Sequence, residues 1–238
     1  MSENTLDKYK IYLEKALQYY YDDLTFLRLY KRLPKSRYDT FKFLIEYIET
    51  NNLKKIVELG TIRSYVDGRF EGCNMDDTKY WDENNPEKWD WSAGLFSKVL
   101  SECLPETEID TVDINSDHLK RCKHINKNNK NINYIHKPSE LYLKDYEGKL
   151  DIIYLDTGDM NPVEDVALLQ LLEVQLIVNN NLLSTNGLII IDDVYNPIPK
   201  NEGEESLYGK SKYSIPFLLS SGFEILMDEY QMILKIKS

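Results

Sequence analysis

The feature that most constrains the fold is the run Lys54-Lys-Ile-Val-Glu-Leu-Gly-Thr61. A β-branched run closed by a glycine reads as a buried strand that stops at a tight turn. The glycine lets the backbone turn sharply and leaves no side chain between the chain and a ligand. Glu58 is the exception inside the run. A carboxylate near the end of a buried strand is costly unless it is paired, hydrogen-bonded or turned to a ligand. Four more apolar runs follow, separated by segments of helical period. Ile109–Ile114 carries Asp113 near its end, Ile132–His136 ends in a histidine, Leu150–Asp156 in an acid, and Leu188–Asp193 in two acids.

Strands that alternate with helices build a mostly parallel sheet with helices on both faces. Right-handed crossovers put every strand's carboxyl end on the same edge. Ligands bind along that edge, near the point where strand order reverses. Gly60, Asp113, His136, Asp156 and Asp192-Asp193 are therefore expected around one crevice, although they are scattered along the chain.

The remaining segments read as cover and connection. Apolar side chains at helical spacing from Thr5 to Tyr30 predict one long or two broken helices, closed by Pro34. Ser36 caps a second helix over Arg37 to Thr50, and Asn51-Asn52 stops it. These helices could cover a sheet face, form a lid or build a dimer contact, which keeps a homo-oligomer among the expected assemblies. The segment 62–91 holds Gly68, Gly72, Trp81, Trp89, Trp91 and an acidic run. A loop of that length is functional or disordered, and disordered segments are poor in aromatics, so it reads as a functional insertion. Ser92 or a neighbour caps the next helix, which Pro105 ends. Asn115 or Ser116 caps one running to about Asn126, and Pro138-Ser139 opens a short one through Tyr142. Pro162 starts a long helix over about Val163 to Asn180. Asn186-Gly187 reads as a turn before the fifth strand, Ser206 to Ser221 as helix with Pro216 as an irregularity. Phe223–Met227 and Gln231–Lys237 are spaced to pair as an antiparallel hairpin.

Charge and composition exclude several partners. The formal net charge of −11 argues against nucleic acid, because phosphate backbones are bound mainly by Lys and Arg. No apolar run approaches the roughly 18 residues of a membrane span, so no membrane partner is expected. The polar start Met1-Ser-Glu-Asn-Thr is not a signal peptide. Cys73, Cys103 and Cys122 lie far apart with no CxxC pair, which suits a reduced, cytoplasmic protein without a disulfide framework or zinc site.

The acids at the strand ends carry the chemistry. Asp113 could accept two hydrogen bonds from the hydroxyls of a ribose, or cap the helix that follows it. No GxGxxG pattern accompanies it, and only Gly60 remains in the first turn, so a ligand with a ribose but no pyrophosphate fits better. Asp156, Asp192 and Asp193 cannot all ionise side by side without raised pKa values unless a cation joins them. Oxygen-only ligands suit Mg²⁺, Ca²⁺ or Mn²⁺. The alternative is that one of Asp192-Asp193 caps the following loop while the other faces water. His118 and His124 fall on a polar helix and read as surface residues, whereas His136 ends a strand on the ligand edge.

Val57-Glu-Leu-Gly-Thr61, Thr111-Val-Asp113, Ile153-Tyr-Leu-Asp156 and Gly187-Leu-Ile-Ile-Ile-Asp-Asp193, followed by a terminal hairpin, resemble a class I S-adenosylmethionine-dependent methyltransferase. The resemblance covers roughly Leu53 to Ser238. It implies an α/β, Rossmann-like, doubly wound sheet of seven strands in order 3-2-1-4-5-7-6, the last antiparallel, preceded here by N-terminal helices. The division expected is a helical extension over 1–52 and a methyltransferase-like domain over 53–238. The paired aspartates after strand five are similar to those of the metal-dependent O-methyltransferases of sugar and macrolide tailoring. By that resemblance Glu58, Gly60 and Thr61 line the methionine part of S-adenosylmethionine. Asp113 holds the ribose, Ser139 lies near the adenine, and Asp156, Asp192 and Asp193 bind Mg²⁺. The tailoring enzymes often read Asp-Gly-Asp-His after strand four, where this chain reads Asp156-Thr-Gly-Asp159-Met160. An insertion follows Gly60-Thr61, with Gly94 as the candidate for the turn's later glycine.

Methyl transfer from a sulfonium needs the acceptor held in line and its proton removed. A divalent cation on the acceptor hydroxyl would lower its pKa, and Asp159 is the candidate base. The favoured expectation is metal-assisted O-methylation of a small hydroxylated acceptor such as a sugar. The alternatives are a metal-independent methyltransferase on another small acceptor such as an amine, and a binding or scaffold protein that keeps the fold without the chemistry.

Overall fold

In the computed structural model, β1 (Lys55–Leu59), β2 (Glu108–Asp113), β3 (Ile132–His136), β4 (Leu150–Leu155), β5 (Leu183–Ile191), β6 (Phe223–Asp228) and β7 (Met232–Ile236) form one sheet. Its order is β3-β2-β1-β4-β5-β7-β6. Strands β1 to β5 are parallel, and β7 runs antiparallel to both β5 and β6. The structure describes residues 2–14, 35–62, 95–158, 163–194 and 209–237. Outside these residues lie the helical pattern beyond residue 14, Pro34, the insertion from residue 63 onward with Cys73 and its tryptophans, Ser92, Gly94, Asp159, Met160, Pro162 and Ser206.

Alternation along the strands divides the core between the two faces of the sheet. Ile56, Ile109, Ile152, Tyr154, Leu188, Ile190 and Ile233 share one buried cluster, whereas Val57, Val112, Ile153, Leu155, Ile189, Ile191 and Leu234 share the other. The first face is covered by α1 (Ser2–Asp7), α2 (Arg37–Asn51), α3 (Phe96–Cys103) and α4 (Ser116–Ile125). The second is covered by α5 (Ser139–Asp145), α6 (Val163–Asn179) and α7 (Ser214–Ser220). Among the described residues, no helix is long and apolar enough to cross a membrane.

The N-terminal residues serve as cover. Leu6, Tyr9, Tyr12 and Leu13 are buried with Phe41 and Leu44 of α2, and Tyr9 Oη donates to Glu102 of α3 at 2.5 Å. The helix over Ser2–Asp7 is interrupted before the backbone turns helical again at residue 10. At α2, Ser36 N–H donates to the Asp39 carboxylate three residues on, closing the first turn. Asn52 ends the helix in the left-handed region at φ +50.

Several boundaries differ from the sequence expectations. The helix placed after Ser92 starts at Phe96, behind Leu95 in the left-handed region at φ +49. The short helix at Pro138-Ser139 runs on to Asp145. In the C-terminal segment, Gly209–Ser211 forms a 3-10 turn and α7 begins at Ser214, which puts Pro216 in the first turn of that helix. The largest correction concerns β5, which begins at Leu183 and contains Asn186-Gly187 inside the strand rather than before it. Leu150 pairs with Leu183 but Ile152 pairs with Leu188, so the residues between are absorbed as a bulge. A turn signal read locally cannot reveal that the chain resumes pairing with the same neighbouring strand beyond the bulge.

Candidate active site

Backbone hydrogen bonds extend the sheet one step past the strands and set its acids side by side. Gly60 N–H donates to Val112 O at 2.9 Å, Asp156 N–H to Leu59 O at 2.9 Å and Asp192 N–H to Leu155 O at 3.1 Å. Because β1 pairs with both β2 and β4, Gly60, Asp113 and Asp156 flank the point where strand order reverses. Open α/β sheets bind ligands there. Gly60 has φ +86, and a Cβ on it would lie 2.4 Å from the Asp156 carbonyl oxygen. Only a glycine lets the ends of β1 and β4 approach this closely.

Asp113 ties the first turn to the second. Its Oδ2 accepts Thr61 N–H at 3.1 Å, and its Oδ1 accepts Asn115 N–H at 2.6 Å. Capping of α4 falls to Asn115, whose Oδ1 accepts Asp117 N–H at 2.9 Å. His118, read as a surface residue, is half-exposed, and its Nδ1 lies 3.2 Å from Asp113 Oδ2. The first turn of α4 carries it back over the end of β2. His136 stays exposed at the rim, with Nε2 2.8 Å from Ile114 O. Thr61 Oγ1 is enclosed and makes no hydrogen bond of ordinary geometry, only a marginal approach to the Cys122 thiol.

Glu58 does not reach the crevice freely. It is buried on the face covered by α3, where Thr111 Oγ1 donates to it at 2.6 Å and Ser97 N–H at 3.3 Å. Burial pushes its carboxyl up to about 7, with those hydrogen bonds pulling the other way. Ser139 likewise turns inward: its hydroxyl donates to Glu173 at 2.5 Å, and Thr157 donates to the other Glu173 oxygen at 3.0 Å. Glu173 is fully enclosed on α6, and burial lifts it too to about 7.

Asp156, Asp192 and Asp193 do converge. One carboxylate oxygen from each lies within 4.8 Å of the others. Successive residues of a strand point to opposite faces, and Asp193 joins Asp192 here because it takes the left-handed region at φ +52. Two cations of the chain itself meet the cluster. Arg37, the first residue of α2, donates from Nη2 to Asp192 Oδ2 at 2.5 Å and lies 3.5 Å from Asp193 Oδ1. Lys210 Nζ donates to Asp156 Oδ1 at 2.8 Å and lies 3.8 Å from Asp193 Oδ2. Gln231 Nε2 donates to Asp192 Oδ1 at 3.0 Å, and Tyr230 Oη donates to Asp193. Burial pulls Lys210 down, but Asp156, Asp193 and Asp192 outweigh it and hold the ammonium above its ordinary range. Asp156 is pushed up to about 7, first by burial and then by the neighbouring carboxylates, against the pull of Lys210.

Sequence reasoning missed Arg37, Lys210, Glu173, Tyr230 and Gln231. For Glu173 there was a signal. It shares a helical stripe with Val166, Gln170 and Ile177, all buried, so an acid at that spacing had to face the core. Arg37 and Lys210 lie in polar surroundings with nothing local to mark their burial.

No protein-family model and no curated protein matches the chain. Solved structures do. The crystal structure of the Podospora anserina methyltransferase PaMTH1 with SAH bound is similar at a TM-score of 0.52 and 18% identity, over 100% of this chain and 97% of that one. A putative caffeoyl-CoA O-methyltransferase from Staphylococcus aureus is similar at 0.55 and 15% identity, over 98% of this chain and all of that one. At such identities the likeness is one of fold.

Proposed function

We propose that this chain, which has the class I S-adenosylmethionine-dependent methyltransferase fold, transfers a methyl group from S-adenosylmethionine to a small hydroxylated acceptor. The observation that carries the reading is the meeting of Gly60, Asp113 and Asp156 at the point where strand order reverses. The residues there suit the cofactor. Gly60 presents no side chain, and Asp113 Oδ1, which accepts Asn115 N–H, retains a further lone pair for a hydroxyl. In this reading Gly60 and Thr61 meet the methionine part and Asp113 the ribose hydroxyls. Glu58 supports that turn from behind through Ser97 and Thr111, and Ser139 supports the adenine side through Glu173.

When bound, S-adenosylmethionine supplies an electrophilic methyl on a sulfonium. The chain's part is to hold an acceptor oxygen in line with it, which is worth several kcal/mol of barrier. Asp156 and Asp193 keep 21% and 29% of their side chains exposed, beside cations that are almost wholly enclosed. Carboxylate oxygens accept hydrogen bonds, so they favour an acceptor that donates them, a sugar-like polyol first and an amine second. Asp159, three residues beyond Asp156, is the base in this reading. A resident Mg²⁺ on Asp156, Asp192 and Asp193 fits the donor set poorly. Arg37 and Gln231 engage both Asp192 oxygens, and Lys210 engages Asp156 Oδ1.

Calorimetry of the whole chain with S-adenosylmethionine, in the presence of EDTA, tests the reading. Stoichiometric binding supports it, followed by transfer of labelled methyl to a panel of polyols and amines. No binding at millimolar cofactor would leave a protein that keeps the fold for another purpose.

A further inference from the structure

We infer that the Lys210 ammonium stands in the seat that a divalent cation would take among Asp156, Asp192 and Asp193, so that the site carries its cation on its own chain. The inference extends the methyltransferase reading, but it is tested without turnover. Three carboxylate oxygens within 4.8 Å of one another define a seat for one small cation. The ammonium is already bonded to one of these acids at 2.8 Å and lies 3.8 Å from a second. Arg37 holds the third at 2.5 Å.

Charge and solvation both favour this arrangement over a metal. Arg37 and Lys210 return two positive charges to three carboxylates, and both are 1% exposed. An enclosed cation that lost its partners would keep its desolvation cost without compensation. A divalent ion entering beside Lys210 would meet that ammonium across a single carboxylate, at close range and away from water, where repulsion is weakly screened. Lys210 is set in place by the 3-10 turn Gly209–Ser211, in which Gly209 takes φ +49 and Ser211 is buried with it. Its place is therefore a product of the fold and not a surface side chain folded in by chance. The ammonium is too enclosed to touch an acceptor, so Lys210 is a positioning residue that fixes Asp156 and Asp193, which keep 21% and 29% of their side chains exposed.

Mn²⁺ titration of the full chain tests this by thermal shift and by the electron paramagnetic resonance signal of free Mn²⁺. The wild-type protein should show no saturable rise in Tm and no loss of the free-ion signal. Lys210→Ala should gain both, and Asp156→Asn added to it should remove the gain. Where Lys210→Ala folds poorly, Mn²⁺ present during refolding should rescue it, and Mg²⁺ more weakly. A saturable, EDTA-reversible Mn²⁺ site in the wild-type protein would overturn the inference. So would a Lys210→Ala protein that neither binds Mn²⁺ nor is rescued by it. Loss of S-adenosylmethionine binding in the wild type would defeat the functional reading while leaving this result standing.

Discussion

Arg37 and Asp192 stand 155 residues apart in the chain and meet as an enclosed ion pair, Nη2 to Oδ2 at 2.5 Å, with 1% and 0% of their side chains exposed. The pair fastens α2 to the end of β5, and Thr40 and Gln231 extend the contact from the same two sides. Removing one partner leaves the other charged and unpaired, a loss of about 3–5 kcal/mol in such pairs. Arg37→Met should therefore lower stability by that order in urea titration. Adding Asp192→Asn should recover a substantial part, since the uncompensated charge is then gone. A cost for Arg37→Met below about 1 kcal/mol, the range of exposed pairs, would mean that the pair is open to water.

Gly60→Ala is predicted to damage the edge itself. The new Cβ would lie 2.4 Å from the Asp156 carbonyl oxygen, in a backbone conformation at φ +86 that side chains resist. The left-handed conformation costs about 1–2 kcal/mol and overpacking about 1–3 kcal/mol more. Both chemical denaturation and S-adenosylmethionine affinity should register the change. A variant of wild-type stability would show that β1 and β4 do not approach this closely.

Asp113→Ala should weaken S-adenosylmethionine by about 1.5–3 kcal/mol, the range for hydrogen bonds to a charged group. Because Asp113 also accepts Thr61 N–H and Asn115 N–H, some loss of stability should accompany it. His118→Ala, which removes a neighbour of Asp113 but no carboxylate, is the control and should cost much less affinity. Unchanged affinity in Asp113→Ala would remove it from the site.

Glu173 predicts a dependence on pH. Burial raises its carboxyl from 4.5 to about 7 in the folded protein, partly opposed by the Ser139 and Thr157 hydroxyls. The folded state therefore holds the proton more tightly than the unfolded one. That contribution to stability is fully present below about pH 4.5 and is lost as pH rises through about 7. Glu173→Gln, neutral throughout, should flatten this part of the curve and gain on the wild type between pH 5 and 8. The gain is bounded at roughly 3 kcal/mol by the free energy of a pKa shift. Glu58 is raised in the same direction, so part of the slope should survive. Urea midpoints for both proteins across that range are the measurement, and parallel curves would show that Glu173 titrates normally.

The order of elements was legible because hydrophobic period is a local property. Ile132–His136 is the observed β3, residue for residue, and β1, β2 and β4 differ from the expected strands only at their ends. Asn186-Gly187 misled for the same reason, since a local turn signal does not show that β5 pairs with β4 on both sides of the bulge. Glu58 was placed near the end of the first strand and Ser139 at the start of a short helix, and both stand there. Their partners, Thr111 with Ser97 and Glu173, lie on other elements, and so the direction each side chain faces was not legible.

By itself the sequence determined that five strand ends, with Gly60, Asp113, His136, Asp156 and Asp192, would share one edge. Alternation of strands with helices and the handedness of crossovers leave a chain of this pattern little other choice. It also implied that three carboxylates side by side would either hold raised pKa values or be joined by a cation. Which cations stand beside the acids was decided only in three dimensions. Arg37 comes from a helix ahead of the first strand and Lys210 from a turn after the fifth, and both are drawn in by the shape of the packed faces. Periodicity tells which face of an element is buried, but an ion pair depends on where two distant elements come to rest. That position is set by packing over the whole sheet, and no local stretch of residues encodes it.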